Sequence, residues 1–244
     1  MSVYNAERYV AEAIQSILGQ TEGRFEFLIV NDGSQDASGS IVDRYAAQDA
    51  RIRVIHQENR GLIASLNRML DEARAPLVAR MDSDDVSRPE RFAVQLAYMQ
   101  ANPQVAVLGT NTDELDADGA FFPCSDYHPE HPQEIREHLM VASSMCHPSV
   151  MMRRDVIRAV GGYRAAFRHC EDYDLWLRVS EQHDMRNLPD RLFLYRRSPG
   201  QVSEKHILVQ AIGAACARYA AGERRAGRAD PFEGASALPS LDQI

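Results

Sequence analysis

Several features common in soluble proteins are scarce or missing in this chain of 244 residues. It has one lysine, Lys205, and no run of basic residues, and its 35 acidic side chains outnumber 27 lysines and arginines to give a net charge of −8. An acidic balance without a basic patch argues against nucleic acid as a partner. No apolar run approaches the roughly 18 residues that a membrane-spanning helix requires, so the sequence predicts no membrane span.

The four cysteines are too far apart to suggest a disulfide framework or a zinc site. Cys124, Cys146, Cys170 and Cys216 form no C-x-x-C pair and have no histidine partners at zinc-binding spacing. The pattern predicts a reduced chain located in the cytoplasm. Peripheral membrane association, at the inner face of the cell membrane, stays open.

The order of apolar segments predicts an α/β fold. Over the first 110 residues, runs typical of strands alternate with segments of helical periodicity, the strands at 25–30, 53–56, 77–82 and 105–109 and the helices at 5–18, 36–45, 61–73 and 89–100. Such alternation predicts a doubly wound, mostly parallel sheet flanked by helices. Ligands of these sheets bind outside the carboxyl ends of the strands.

The most informative stretch is Leu77-Val78-Ala79-Arg80-Met81-Asp82-Ser83-Asp84-Asp85, an apolar strand that runs into three carboxylates. Because successive side chains of a strand point to opposite sides, we expect Asp82 and Asp84 on one side and Asp85 on the other. A pair of carboxylates on one side suits a hard divalent cation, Mn²⁺ or Mg²⁺, and hence a substrate that carries a diphosphate. The alternative is an ordinary solvated loop.

Asp32 also follows a strand, and we expect it beside the same ligand. Residues 1–110 are then predicted to form a nucleotide-sugar-binding half, with Asp32 accepting a hydrogen bond from the base and Asp82 near the ribose. A carboxylate that only stabilises its own turn is the alternative for Asp32.

The alternation of strands and helices breaks after Asp113. Residues 111–222 are predicted to form the acceptor-binding and catalytic half of the same domain, and residues 223–244 a flexible tail. Glu171 and Asp172 begin a helix, where acids are also favoured by ordinary capping and the helix dipole. His147 is a candidate for lining the acceptor site, and a satisfied structural histidine is the alternative.

Six motifs together resemble those of glycosyltransferase family 2, and they occur in the order Ser2-Val3-Tyr4-Asn5-Ala6-Glu7, Asn31-Asp32-Gly33-Ser34, Asp82-Ser83-Asp84-Asp85, His147-Pro148-Ser149, Gly161-Gly162-Tyr163 and Glu171-Asp172-Tyr173-Asp174-Leu175-Trp176. The resemblance implies a GT-A fold and inverting transfer of a sugar from a UDP- or dTDP-linked donor to a glycan or lipid-linked acceptor, in the assembly of a cell-surface polysaccharide or glycan.

The resemblance also implies roles for single residues. Asp84 matches the ligand of a Mn²⁺ or Mg²⁺ cofactor, and Asp172 matches the general base, which the helix N-terminus is expected to keep ionised. The residues that match substrate contacts are Tyr4, Asn5, Asp32, Asp82, His147, Glu171 and Arg196.

Two positions depart from the family pattern. The strand expected before Tyr4 is nearly missing, which suggests that Met1 is an internal methionine of a longer protein. Ser198 stands where a histidine is common, so we expect Arg196 or Arg197 to supply a positive charge to the phosphates instead.

Two other functions compete with glycosyl transfer. A sugar-nucleotide nucleotidylyltransferase would need a glycine-rich phosphate loop with arginine and lysine after the first strand, and the sequence has none. A catalytically silent, N-terminally truncated nucleotide-binding or scaffold protein is the second alternative, although its retention of Asp84 and Asp172 argues against decay.

Overall fold

The computed structural model describes residues 1–124, 128–198 and 206–239. Its helices are α1 (Val10–Leu18), α2 (Ser38–Ala46), α3 (Leu62–Glu72), α4 (Arg91–Ala101), α5 (Pro132–His138), α6 (Arg154–Ala159), α7 (Glu171–Ser180) and α8 (Ile207–Arg225). Its strands are β1 (Ser2–Val3), β2 (Phe27–Asp32), β3 (Ile52–Gln57), β4 (Leu77–Ala79), β5 (Val86–Ser87), β6 (Val105–Leu115), β7 (Phe121–Phe122), β8 (Met151–Arg153) and β9 (Asp184–Arg196).

Two sheets form the middle layer. The first is wholly parallel, in the order β1-β2-β3, and agrees with the predicted alternation. The second has the order β4-β8-β6-β9-β5, with β7 added beside β6. Its long central pair, β6 and β9, is parallel, whereas β4/β8, β6/β8, β5/β9 and β6/β7 are antiparallel. The wholly parallel sheet thus belongs to the N-terminal half of the chain, and the second sheet is mixed around the long parallel pair β6/β9.

Helices cover both faces of the sheets. On β2, Ile29 packs into one apolar cluster with residues of α1, α2 and α4, and the next residue, Val30, packs into the other with α3, α5, α7 and α8. This alternation of buried side chains is what a strand buried on both faces requires. The result is a three-layer α/β/α arrangement, and Trp176 on α7 is fully buried in the second cluster.

The first strand lies at an edge of the parallel sheet, where only two residues pair with β2. The Met1 nitrogen continues this pairing by donating to the Leu28 carbonyl oxygen at 2.8 Å. An apolar groove of about 270 Å³ lies next to Met1, between β2 and β4, and its lining residues include Phe27 and Leu77. None of the carboxylates at 82–85 or 171–172 lines this groove.

The helix boundaries differ from the prediction at both ends of the chain. Helix α1 begins at Val10 and not after Asn5, because Asn5 adopts a left-handed backbone with φ 47°. Helix α8 extends to Arg225, and part of the tail predicted to be flexible is packed. Phe232 lies edge-on to Phe167 at 5.9 Å between ring centroids, so contacts with the rest of the protein extend into the tail that was predicted to be flexible.

Candidate active site

The acidic stretch 82–85 forms a cluster of three carboxylates. One oxygen from each of Asp82, Asp84 and Asp85 lies within 4.8 Å of the others. The prediction that Asp85 points away from the other two is wrong, because β4 ends at Ala79 and the residues after it leave the pleated strand. The rule of alternating sides therefore does not apply at the acids.

A buried arginine sits directly against this cluster. The Arg80 guanidinium is 6% exposed and contacts Asp82 at 2.5 Å. Its main chain is fixed on both sides, since its nitrogen donates to the Val150 carbonyl oxygen and its own carbonyl oxygen accepts from Arg91. Arg80 thus balances one of the three negative charges, and its position is set by neighbouring elements and not by its own loop.

Burial makes the remaining carboxylates reluctant to ionise. Loss of water and then the nearby charge of Asp82 raise the pKa of Asp84 to about 6. The same two causes, followed by the charge of Asp84, raise the pKa of Asp85 well above its ordinary value. One oxygen of Asp85 accepts from the Arg196 backbone N–H, and among the described residues the other oxygen has no hydrogen-bond partner.

These features fit a divalent cation. Three oxygen-bearing ligands lie within reach of one ion, one buried oxygen among the described residues lacks a partner, and only Asp82 of the three acids has an arginine side chain as an ion-pair partner among the described residues. Hard ions such as Mn²⁺ and Mg²⁺ take such oxygen ligands. Asp84 is the predicted ligand, and Asp85, which the sequence argument placed on the opposite side, joins it in the cluster.

A second pair of acids opens helix α7. Burial and then the charge of Asp172 raise the pKa of Glu171 to about 7. Burial also raises the pKa of Asp172. The hydrogen bond from the Tyr173 N–H and the charge of Arg80 lower this pKa, but their effect is smaller than that of burial. Desolvation is thus a larger effect on the pKa of Asp172 than the backbone hydrogen bonds of the helix N-terminus, which favour its ionised form.

The two acid groups belong to one electrostatic neighbourhood. The charge of Asp82 raises the pKa of both Glu171 and Asp172, and Arg80 lowers the pKa of both. Tyr163, whose pKa is raised mainly by burial, is also influenced by Arg80 and by both acids of α7. The structure therefore brings together residues that lie about 90 positions apart in the sequence.

Arg196 lies at the acidic loop but is fully engaged there. Its guanidinium donates to the carbonyl oxygens of Asp84 and Asp116 and to the carboxylate of Glu12 at 2.6 Å, and it lies over the ring of Tyr9. At 3% exposed, it fixes the end of β9 against the acids. These contacts favour a structural role, in which Arg196 holds the acidic loop in place. They do not favour the predicted contact between Arg196 and a phosphate. Arg197 is exposed and pairs with Glu114.

Asp32 and His147 are both occupied by protein partners. Asp32 is 2% exposed and accepts from the backbone N–H groups of Arg60 and Gly61 and from Gln57, so it stabilises a turn as the alternative reading expected. His147 bonds the Tyr163 hydroxyl at 2.8 Å, and burial keeps its pKa well below the usual range. The contacts of His147 are those of a satisfied structural histidine.

Tyr4 and Asn5 lie at the edge of the parallel sheet beside the loop after β2. Tyr4 is half exposed. Asn5 accepts from the Gln35 N–H at 2.8 Å, and its own N–H donates to Ser34 at 3.1 Å. The segment after β1 is therefore attached to the loop that carries Asp32, and the ring of Tyr4 is left at the surface.

Two functional candidates, Arg80 and Asp85, are not among the site residues predicted from the sequence. A signal for Arg80 was present, because an arginine within an otherwise apolar strand needs a buried partner, and Asp82 follows two residues later. Asp85 could have been found only by recognising that the strand ends early.

Comparison with known sequences decides the family. The profile of Glycosyl transferase family 2 matches residues 1–161. The chain belongs to glycosyltransferase family 2. It is 36% identical over 189 residues to the putative glycosyltransferase EpsE of Bacillus subtilis, covering 75% of this chain and 66% of that protein. It is 35% identical over 200 residues to the O-antigen biosynthesis glycosyltransferase WbnJ of Escherichia coli, covering 80% of this chain and 77% of that protein.

Glycosyltransferases with known structures share the fold. A mannosyltransferase from Pyrobaculum calidifontis, solved with GDP-Man and Mn²⁺, superposes with a TM-score of 0.66 at 19% identity and covers 96% of this chain and 65% of its own. S. aureus TarS with UDP-GlcNAc gives a TM-score of 0.69 at 18% identity, covering 99% and 75%. The predicted GT-A fold is confirmed, with a mixed second sheet. No helix within the described ranges is long and apolar enough to cross a membrane.

Proposed function

We propose that this family 2 glycosyltransferase inverts the anomeric centre as it moves a sugar from a nucleoside diphosphate sugar to an acceptor hydroxyl. The observation that carries the proposal is the meeting of two acid groups around Arg80, one suited to a cation and one placed on a helix N-terminus. Inversion requires one in-line displacement, with a proton acceptor on one side of the sugar and charge stabilisation on the other. Two separate acid groups meet that requirement.

The acidic loop is the side proposed for the leaving group. Asp84 and Asp85 would hold Mn²⁺ or Mg²⁺, with Asp82 kept near the ribose by its ion pair with Arg80. A bound cation of this type supplies a Lewis acid that offsets the negative charge gathered by the departing nucleoside diphosphate. Arg196 holds the Asp84 carbonyl and the Asp85 carboxylate in place while this charge develops.

Asp172 is the proposed general base. Its raised pKa makes it a stronger proton acceptor than an exposed aspartate once it is ionised, which suits removal of a proton from an alcohol. Glu171, the neighbouring acid, is proposed to bind a hydroxyl of the donor or acceptor. Helix α7 is buried along its length, so both acids stand on a rigid support.

The donor nucleotide is proposed to lie at the carboxyl edge of the parallel sheet. Tyr4 offers an exposed ring on which a base can stack, and Asn5 fixes the loop below it. The sequence favours a UDP- or dTDP-linked donor, and the solved relatives bind GDP-Man and UDP-GlcNAc, so the fold accommodates both purines and pyrimidines.

The acceptor is proposed to be a growing glycan or a lipid-linked glycan. Besides WbnJ, the chain is 31% identical to the amylovoran biosynthesis glycosyltransferase AmsE of Erwinia amylovora over 213 residues. Both names refer to the assembly of bacterial polysaccharides. We therefore infer that this chain acts in cell-surface polysaccharide assembly, in the cytoplasm or at the inner face of the membrane.

Calorimetric titration with UDP and Mn²⁺ tests the donor side. UDP is expected to bind the wild type only with Mn²⁺ present, and Asp84→Ala should abolish that binding, because it removes a cation ligand. Asp71→Asn is a matched control, since Asp71 is an exposed acid that pairs with Arg158. Binding without Mn²⁺, or binding that survives Asp84→Ala, would favour a metal-independent scaffold.

Asp172→Asn tests the base. The variant should lose sugar transfer and donor hydrolysis by at least 100-fold while keeping the UDP affinity of the wild type, because a base acts on the proton and not on the nucleotide. An equal loss of UDP affinity and turnover would show that Asp172 serves the fold instead.

A further inference from the structure

Helix α7, which carries Asp172, is in close contact with the C-terminal part of the chain. Helix α8 packs on α7 through small residues, and Gly213 of α8 faces Cys170, the residue that precedes α7. A Cβ atom built on Gly213 would lie 2.8 Å from the Cys170 Cβ and 3.4 Å from its sulfur. Such a separation is shorter than van der Waals contact allows, so any larger residue would push the start of α7 away.

A buried chain of ion pairs joins the same two helices through the segment after α8. Asp230 accepts from Arg164 at 2.8 Å and from Arg224 at 2.5 Å. Arg164 also pairs with Asp174 of α7, whose side chain is 1% exposed, and Arg224 pairs with Glu181 just past the end of α7. Asp230 is therefore the shared acceptor that connects both ends of α7 to the C-terminal segment.

Apolar contacts hold this segment in place beside the ion pairs. The Phe232 N–H donates to Asp230 at 2.8 Å, and its ring packs edge-on against Phe167, which precedes α7 by four residues. Leu238 approaches within 3.9 Å of a Cβ built on Gly213. The segment thus returns to the point where α8 meets the start of α7.

We propose that α8 and residues 226–239 set the position of α7, and through it the position of Asp172, with Gly213 and Asp230 as positioning residues. The proposal rests on the proposed function of Asp172. A shift of about 1 Å in a catalytic group can lower a rate by roughly 100-fold, so a small displacement of α7 would have a large effect on turnover. Nucleotide binding, which depends on the acidic loop and the parallel sheet, would be spared.

Gly213→Ala and Gly222→Ala make a matched pair of variants on the same helix. A Cβ on Gly222 meets nothing within 4 Å, so Gly222→Ala should be neutral or slightly stabilising. Gly213→Ala should lower the turnover of donor hydrolysis at least tenfold, assayed as Mn²⁺-dependent UDP release from a panel of UDP-hexoses. Its dissociation constant for UDP with Mn²⁺ should stay within twofold of the Gly222→Ala value.

Asp230→Asn gives an independent test of the ion-pair chain. It should lower turnover in the same way as Gly213→Ala, and Asp230→Glu should restore part of the loss. Arg228→Gln is the control, because Arg228 belongs to the same segment but forms its ion pair with Glu223 at the surface. A loss of UDP affinity in proportion to turnover in either variant would indicate general unfolding and overturn the proposal.

Trp176 provides a readout that does not depend on activity. It is the single tryptophan of the chain, lies on α7, and contacts the His147 ring edge-on at 5.7 Å. Its fluorescence should change in Gly213→Ala and Asp230→Asn and stay as in the wild type in both controls. If Trp176 emission and turnover are unchanged in all four variants, the inference that α8 positions α7 is refuted, and the proposed function is not affected. A wild type inactive on every donor would refute the proposed function, and Trp176 emission would still decide whether α8 positions α7.

Discussion

Replacing Asp84 by asparagine is expected to stabilise the metal-free protein while removing its proposed cation site. In the folded state, burial and the charge of Asp82 raise the pKa of Asp84 from 3.8 to about 6. An acid with a raised folded pKa makes the folded state less stable once the pH exceeds its unfolded pKa. Asparagine has nearly the same shape and no charge, so it removes this cost.

The magnitude follows from the size of the pKa shift. A rise of about two units corresponds to about 3 kcal/mol at pH 7.5, as an upper value, because neighbouring acids share the effect. Between pH 4 and 6 Asp84 is ionised in the unfolded state but still largely protonated in the folded state, so the destabilisation of the folded state grows with pH. At pH 5 about half of the full destabilisation is present. The gain from Asp84→Asn should therefore shrink as the solution is acidified.

Urea unfolding in EDTA at pH 7.5 and pH 5 measures this directly. Asp84→Asn should raise the free energy of unfolding at pH 7.5 and raise it less at pH 5. Asp118→Asn is the control, because the Asp118 side chain is 87% exposed. Added Mn²⁺ should stabilise the wild type and leave Asp84→Asn unchanged. A variant that is less stable than the wild type in EDTA at pH 7.5 would contradict the reasoning.

Two further measurements separate roles that the sequence left open. The rate of donor hydrolysis at saturating Mn²⁺ should fall on the acid side with an apparent pKa above the ordinary value of an aspartate, because burial raises the pKa of Asp172 and the base must be ionised to act; a rate that stays constant to below that ordinary value would exclude Asp172. Arg196→Met should destabilise the fold by about 2–4 kcal/mol, since it strips buried carbonyl groups and Glu12 of a shared donor. An unchanged melting temperature with weaker UDP binding would instead support the phosphate contact.

The sequence was most informative where a pattern had a local cause. Alternating strands and helices predicted the parallel neighbours β2 and β3, and the acids at 82–85 predicted a carboxylate cluster, because each signal depends on neighbouring residues. The mixed second sheet was harder to predict from the sequence. Strand β8 pairs antiparallel with β4 and β6, which precede it by about 45 to 75 residues, and no local pattern specifies such partners.

The roles of single site residues were harder to predict for a related reason. Asp32, His147 and Arg196 have side chains that suit a ligand, and each is instead occupied by groups far along the chain, such as the Gly61 N–H, the Tyr163 hydroxyl and Glu12. The composition of the tail suggested disorder, but Asp230 and Phe232 find distant partners on either side of α7. Such partners become visible only when the chain is folded.

The excess of negative charge at the acidic loop has a consequence for the order of ligand arrival. Three carboxylates lie close together there, only Asp82 of them is ion-paired with an arginine side chain among the described residues, and most of their surface is shielded from water. A nucleoside diphosphate that approaches alone meets like charge in a poorly screened place, whereas a cation meets attraction. The donor should therefore enter either after the cation or already complexed with it, and the departing diphosphate should carry the cation away or leave first.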